Sequence, residues 1–204
     1  TLLRSMEADV ILHVFPRKEI ARLAHKAGIP VRMGTTGRIY HWLHCNHLIK
    51  LSRKNSPLHE AFLNILLAEK LIGKPEISND DIPGLYGFDK IAKLPEEFAA
   101  LIDPVRFNLI LHPKSKGSAR EWGTHNFAAL SAMLPRNMYK IFVTGTKAEG
   151  DLLIQEGFFD KAGDFTDLTG KMSLEKLISF IKAADGLIAA STGPLHIAAA
   201  LGKT

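Results

Sequence analysis

The stretch DGLIAASTGPLHIAAALGK, residues 185–203, passes from a short apolar run through Ser-Thr-Gly-Pro into a segment with one histidine and a run of alanines. Residues 187–190 read as a strand buried on both faces of a parallel sheet, since a short continuous apolar run bounded by a turn has that signature. Proline is favoured at the first helical position, where its missing N–H would be unpaired anyway. The following helix is therefore expected to start at Pro194, capped by Gly193 or Thr192. Such a helix turns its free N–H groups and partial positive charge toward the carboxyl edge of the sheet, a good place for phosphate or carboxylate. Gly193 would let a ligand approach the backbone, Ser191 and Thr192 would add hydroxyls, and Ala198, Ala199 and Ala200 would let the helix lie close on the sheet. A capped strand-turn-helix that holds no ligand uses the same residues equally well.

Working outward, the same alternation repeats. Strands are expected at 107–112, 139–144, 165–168 and 187–190, and helices at 124–134, 147–156, 173–183 and from 194 onward. Strands alternating with helices of about ten residues imply a doubly wound parallel sheet, in which ligands bind at the carboxyl ends of the strands. Nearer the start, 10–15, 17–27 and 30–33 read as strand, helix and strand, with Gly28 as the helix stop, and 57–72 as an amphipathic helix ended by Gly73 and Pro75. Residues 76–104 carry Pro83, Pro95 and Pro104 and read as a linker with a short helix near 96–102. The expected fold class is thus α/β, two Rossmann-like doubly wound domains. They lie at 1–75 and 105–204, and the first begins so abruptly that earlier strands of its sheet are expected to precede it.

Composition excludes several classes. With 204 residues, 46% hydrophobic and 23% charged, the chain can bury a substantial core. No apolar run approaches the roughly 18 residues that span a bilayer, and no secretory signal pattern opens the sequence. One cysteine, Cys45, allows no internal disulfide, so a cytoplasmic location is expected. Residues 1–54 hold ten Lys/Arg against three Asp/Glu, whereas 55–103 hold four against nine. The basic part suits an acidic partner: nucleic acid, an anionic lipid headgroup or a phosphorylated sugar. The terminal Gly202-Lys203-Thr204 imitates a phosphate-binding GxxxxGK[ST] loop, but the first glycine would fall on Ile197, so that reading fails.

Three strand ends in the second half carry polar loops. Lys114, Ser115, Lys116, Gly117, Ser118 and Arg120 follow the strand at 107–112, Gly145 and Glu149 follow the next, and the Ser-Thr-Gly turn follows the last. Cations and hydroxyls in two loops fit a diphosphate, and an acid in the third fits a ribose diol. No GxGxxG follows any strand, which argues against a dinucleotide cofactor.

The runs HPKSKGSAREW, VTGTKAEGD and DLTGKMSLEKLISFIKAADGLIAASTGPLHIAAALG, in that order and spacing, resemble the donor half of the ADP-heptose:lipopolysaccharide heptosyltransferases, glycosyltransferase family nine. The resemblance is strong over 105–204 and weak over 8–75. It implies the GT-B arrangement, with an acceptor-side part at 1–75 and the donor domain at 105–204, both incomplete in this chain, and a bacterial, cytoplasmic enzyme, expected as a monomer with peripheral contact at the inner face of the inner membrane. Its partners would be a nucleotide-sugar donor and an acidic glycolipid acceptor. It further implies that Arg120 faces the donor phosphates and Glu149 the ribose. Leu168, Thr169, Gly170, Lys171 and Met172 would pack on the adenine, Thr192 and Gly193 would meet the diphosphate, and His196 would be the histidine of a G-x-x-H pattern. Ser191 stands where many members carry an aspartate that touches the sugar. The implied reaction is glycosyl transfer with inversion, with Arg120 and the helix end at Pro194 stabilising the departing diphosphate. The catalytic base is expected in strands that precede this chain, and its donor domain is expected to continue past Thr204.

No cofactor or metal is expected: no Asp-x-Asp pair occurs, and HWLHCNH (His41, His44, Cys45, His47) lacks a second ligand pair and reads as a basic, partly aromatic surface. Two alternatives stay open, a nucleotide-sugar epimerase of the same fold and a basic protein that binds nucleic acid without catalysis. The second would show affinity falling steeply with salt.

Overall fold

After one helical turn, Leu2–Ser5 (α1), the chain lays down Val10–Leu12 (β1), the helix Lys18–Ala27 (α2) and Val31–Thr35 (β2). Ile39–His44 (α3), His47–Ile49 (β3) and Glu60–Ile72 (α4) follow. In the computed structural model, which describes residues 2–54, 56–58, 60–74, 76–115, 117, 120–190 and 193–203, the three strands run parallel in the order β1-β2-β3. They belong to the first of two compact units, Thr1–Ile77 and Ser78–Thr204.

In the first unit, α2 buries Ala21 and Ala24, whose small side chains allow close approach. Gly28 ends the helix at φ 78°, a left-handed conformation that favours glycine. The segment around HWLHCNH is not the open surface expected from its composition. His41 and Cys45 are buried against Gly34 of β2, where an added Cβ would lie 2.7 Å from the His41 ring and 2.8 Å from Cys45 Sγ. Glycine at 34 makes the room that draws both side chains inward. Trp42 and Leu43 do stay exposed. Among the described residues, no group of three His, Cys, Asp or Glu side chains is placed to hold a metal ion.

The second unit begins with a single 3-10 turn at Asn79–Asp81, then Ile82–Leu85 (α5) and Glu96–Ala99 (α6). Phe107–His112 (β4), Thr124–Met133 (α7), Tyr139–Val143 (β5), Lys147–Gln155 (α8) and Phe158–Lys161 (α9) come next. Thr166–Asp167 (β6), Leu174–Ala183 (α10), Gly186–Ala189 (β7) and Gly193–Ala200 (α11) complete it. The described strands form a parallel sheet in the order β6-β5-β4-β7. Alternation along the two central strands sends side chains to opposite faces. Ile110 and Phe142 join Phe180 and Ile181 of α10 and Ala198 of α11 on one side. Leu109, Leu111, Ile141 and Val143 meet Phe127 of α7, Leu153 of α8 and Phe158 of α9 on the other. Helices therefore cover both faces, as the run of strands and helices in the sequence requires.

The stretch expected to be a linker does more than connect. Phe98 is buried and stands edge-on to Phe180 with ring centroids 6.3 Å apart, Leu94, Leu101 and Ile102 pack on the same cluster, and Ser179 Oγ donates to the Ala92 carbonyl at 2.8 Å. Its prolines punctuate a segment that wraps the core instead of leaving it.

Candidate functional site

The chain steps from β4 to β5 to β6 across one side of the sheet and then returns to place β7 on the other flank of β4. The loops leaving β4 and β7 part in opposite directions and open a crevice at their carboxyl ends, the position where such sheets bind ligands. A cavity of about 410 Å³ lies there. The β4 end supplies His112, Lys114 and Ser115, and the β5–α8 turn supplies Gly145, Thr146 and Glu149. Met172, Ser173, Leu174 and Leu177 come from the approach to α10, and Gly193 and Pro194 from the start of α11.

Of the residues expected to hold a donor, the structure brings Lys114, Ser115, Gly145, Glu149, Met172 and Gly193 to this one cavity. Arg120 and His196 are exposed and are not among the described residues lining it. Ser191 and Thr192 lie outside the described residues. A Cβ on Gly193 would meet nothing within 4 Å among the described residues, so the first turn of α11 stands open to the cavity.

The loop 168–172 is built from packing constraints more than from ligand groups. Leu168 is a core residue, 3% exposed, and its N–H bonds the Val143 carbonyl at 2.8 Å. Asp167 Oδ1 accepts the Thr169 N–H at 2.9 Å and its hydroxyl at 2.8 Å, which folds the turn. Gly170, at φ 69°, donates its N–H to the Gly145 carbonyl at 2.8 Å, and a Cβ there would lie 3.0 Å from Lys147 Cβ. A Cβ on Gly150 would come within 2.8 Å of Thr169 Cβ. Gly150 and Gly170 thus let this loop clasp the start of α8. Lys171 Nζ bonds the Asp167 carbonyl at 2.6 Å.

At the start of α8, Thr146 and Glu149 form a reciprocal cap. Thr146 Oγ1 accepts the Glu149 N–H at 3.3 Å, and Glu149 Oε2 accepts the Thr146 N–H at 2.6 Å. The carboxylate expected to meet a ribose is therefore also the one that holds the helix end.

Lys114 departs most from its expected role. Its ammonium is held between Glu156 Oε1 at 2.9 Å and Glu121 Oε2 at 3.0 Å. Burial alone would lower its pKa, but hydrogen bonds and charge from Glu156 and Glu121 outweigh that and raise it above the ordinary lysine value. Glu121 Oε1 in turn accepts the Ser115 N–H at 2.6 Å and its hydroxyl at 3.1 Å. Glu156 also accepts the Thr124 hydroxyl, which with the Lys114 contact holds its carboxyl below the usual range.

His112 is buried with Nδ1 2.9 Å from Thr144 Oγ1. Desolvation lowers its pKa against the opposing pull of Glu149, so the ring lines the cavity as a neutral imidazole at neutral pH. Sequence reasoning missed His112, Thr146, Glu121 and Glu156. The Thr-x-x-Glu spacing at 146–149 could have revealed the cap, and the terminal polar residue of a buried strand could have pointed to His112. Nothing in the spacing of Glu156 announces its partner.

A larger cavity, about 570 Å³, lies at the amino ends of β4 and β7. Several of its polar groups are engaged with one another. Asp185 Oδ2 accepts the Asn108 N–H at 2.7 Å and its amide at 2.9 Å, and Asp103 takes the N–H groups of Arg106 and Val105, which pull its carboxyl down to about 2. That cavity sits away from the switch point and offers a ligand little that is unspent.

The profile of "Glycosyltransferase family 9 (heptosyltransferase)" matches residues 2–204. Among solved structures, the chain is similar to ADP-heptose LPS heptosyltransferase II of E. coli at 20% identity and TM-score 0.59, with 99% of this chain and 62% of that one covered. It is similar to the family 9 glycosyl transferase of Veillonella parvula at 19% identity and TM-score 0.68, with 99% and 58% covered. E. coli heptosyltransferase WaaC, solved with ADP-2-deoxy-2-fluoro heptose, matches at 17% identity and TM-score 0.67, with 98% and 62% covered. The chain spans about three fifths of the length of these proteins. At such identities the likeness shows the fold, the mixed α/β GT-B type. No curated protein matches by sequence.

Proposed function

Because the chain belongs to glycosyltransferase family 9, the heptosyltransferases, we propose that its second unit is the donor-binding part of an enzyme that moves heptose or a related sugar from a nucleoside diphosphate. ADP-heptose is the donor we infer. The acceptor in this reading is a lipopolysaccharide core or a related acidic glycan, and the transfer inverts the anomeric centre. The observation that carries the reading is the 410 Å³ cavity at the switch point, lined from four successive loops.

In this reading the nucleoside lies against Met172 and Leu174, with the ribose at Glu149, and the diphosphate meets the open first turn of α11 at Gly193 and Pro194. Backbone N–H groups at a helix start suit that charge, because they are fixed before the leaving group departs. Arg120, exposed in the loop after β4, adds a cation. No residue of this chain is assigned as the base that deprotonates the acceptor.

The acceptor would face the first unit, whose exposed cations include Arg38, Lys50 and Lys54 along with those of α2. Arg32 and Arg53 serve differently. Arg32 Nε bonds the His44 carbonyl at 2.8 Å, and Arg53 Nη2 bonds the Val14 carbonyl at 3.1 Å and Asn64 Oδ1 at 2.9 Å. Peripheral contact with an anionic membrane belongs to the same proposal, and no helix among the described residues is long and apolar enough to cross a membrane. Titration calorimetry of the chain with ADP and ADP-sugars tests the donor assignment. Binding in the micromolar to millimolar range is expected, and silence with every nucleoside diphosphate would remove it.

A further inference from the structure

The loop after β4 offers an anion three donors: the Ser115 N–H, the Ser115 hydroxyl and the Lys114 ammonium. A carboxylate of the same loop takes all three. Glu121 Oε1 accepts from Ser115 N at 2.6 Å and from Ser115 Oγ at 3.1 Å, and its Oε2 lies 3.0 Å from Lys114 Nζ. Both Lys114 and Ser115 line the switch-point cavity, and Lys114 keeps a second anchor in Glu156 at 2.9 Å.

An ammonium, a hydroxyl and a backbone N–H converging on one oxyanion are the groups that also receive a phosphate. We propose that Glu121 is a built-in stand-in for the donor's diphosphate, occupying its site on Lys114 and Ser115 and leaving when the donor enters. The proposal rests on the donor reading of this cavity and names a competitor within it.

Charge supports the exchange. Glu121 and Glu156 already hold the one ammonium between them and Glu149 lines the same cavity, so a diphosphate arriving while Glu121 stays would meet an ammonium whose charge is already answered. The side chain of Glu121 is 27% exposed, and its release needs only rotation toward solvent. Glu156 then keeps Lys114 in place, so the cation is positioned before the donor binds. Such a contact lowers donor affinity and also keeps Lys114 and Ser115 from capturing any small anion.

The test compares wild type, Glu121→Gln, Glu121→Asp and Glu156→Gln by titration calorimetry with ADP and, separately, with inorganic pyrophosphate. Glutamine keeps the length but cannot receive the ammonium as a charged partner, and its binding of both probes should tighten about tenfold. Aspartate keeps the charge but is too short to bridge Lys114 and Ser115, so its gain should fall between; it also stands in if the glutamine variant melts early. Glu156→Gln removes equal charge without vacating Ser115 and should gain clearly less. Unchanged or weaker binding by Glu121→Gln would make Glu121 a brace for the loop and overturn the proposal, as would an equal gain from Glu156→Gln. Those outcomes leave the donor reading standing. Absence of heat from all four proteins with both probes would remove the donor reading, and the proposal with it.

Discussion

Gly150 lies inside α8, where alanine would ordinarily stabilise a helix by about 0.5–1 kcal/mol. Here the sign should reverse, because a Cβ at 150 would stand 2.8 Å from Thr169 Cβ, well inside van der Waals contact. Thr169 has little freedom to retreat, since its N–H and hydroxyl are both tied to Asp167 Oδ1 at 2.9 and 2.8 Å. Overpacking of this kind costs about 1–3 kcal/mol, so Gly150→Ala should destabilise the second unit by a net of about 1–2 kcal/mol. Thr169→Ala alone should cost about 1 kcal/mol through the lost hydrogen bond. In that background the hydroxyl contact and its tether to Asp167 are gone while the Cβ at 169 remains, so Gly150→Ala should lose part of its cost. The cycle should therefore show a coupling energy of about 1 kcal/mol in the direction of rescue. Urea unfolding followed by Trp122 fluorescence, in a Trp42→Phe background that silences the first unit, measures all four proteins. If Gly150→Ala stabilises the chain with Thr169 intact, or if Thr169→Ala gives no rescue, the loop is not pressed on α8 as described. The same clash should loosen Met172 at the cavity and weaken ADP binding in the single variant, with recovery in the double.

Arg120→Ala should weaken ADP binding by about 10- to 150-fold, the value of a charge-assisted hydrogen bond, with Arg120→Lys recovering part and the melting temperature nearly unmoved; unchanged affinity in both variants would refute the phosphate contact. Gly34→Ala should destabilise the first unit by about 1–3 kcal/mol, read from Trp42 fluorescence in a Trp122→Phe background, because its Cβ would press on the His41 ring and Cys45 Sγ; wild-type stability would mean that the ring yields freely. His13 and His41 are buried with ring centroids 5.3 Å apart, and neither Nε2 meets a partner among the described residues. Burial first, with His41 charge adding for His13 and Arg38 for His41, lowers both pKa values below the ordinary 6.5. The unfolded chain then binds protons before the folded one, so the first unit should hold full stability above pH 6.5 and lose it as pH falls from there toward the folded values. Equal urea midpoints at pH 5.5 and 7.5 would contradict this.

The doubly wound order was legible because each buried strand is a short apolar run and each helix carries its own stop. The strand at 107–112 matches β4 end to end, and the helix expected at 173–183 is α10 with Ser173 as its cap. Periodicity reports which face of an element is apolar, and burial then follows. It says little where an element is short or its burial depends on a distant neighbour. The three-residue β3 and the short α3 were missed for that reason: His41 looks polar in sequence, and only Gly34, seven residues earlier, admits it to the interior. The prolines of 76–104 gave the segment a linker's composition, while the ring of Phe98 decided its place.

The candidate site divides along the same line. Its location was readable, since polar loops after successive parallel strands must converge at one edge. The pairing of its charges was not. Lys114 is one of several cations in a loop that reads as a phosphate cradle, yet its ammonium is held by Glu121, seven residues on, and Glu156, forty-two residues on. Burial of the Lys114 side chain works against its charge, and such partners keep it charged. Burial therefore selects the carboxylates that neutralise Lys114, and those carboxylates set what a diphosphate must displace. A cationic loop in sequence can thus fold into a site whose charge is already answered, and its affinity for an anion becomes the difference between two ligands, one of them built into the chain.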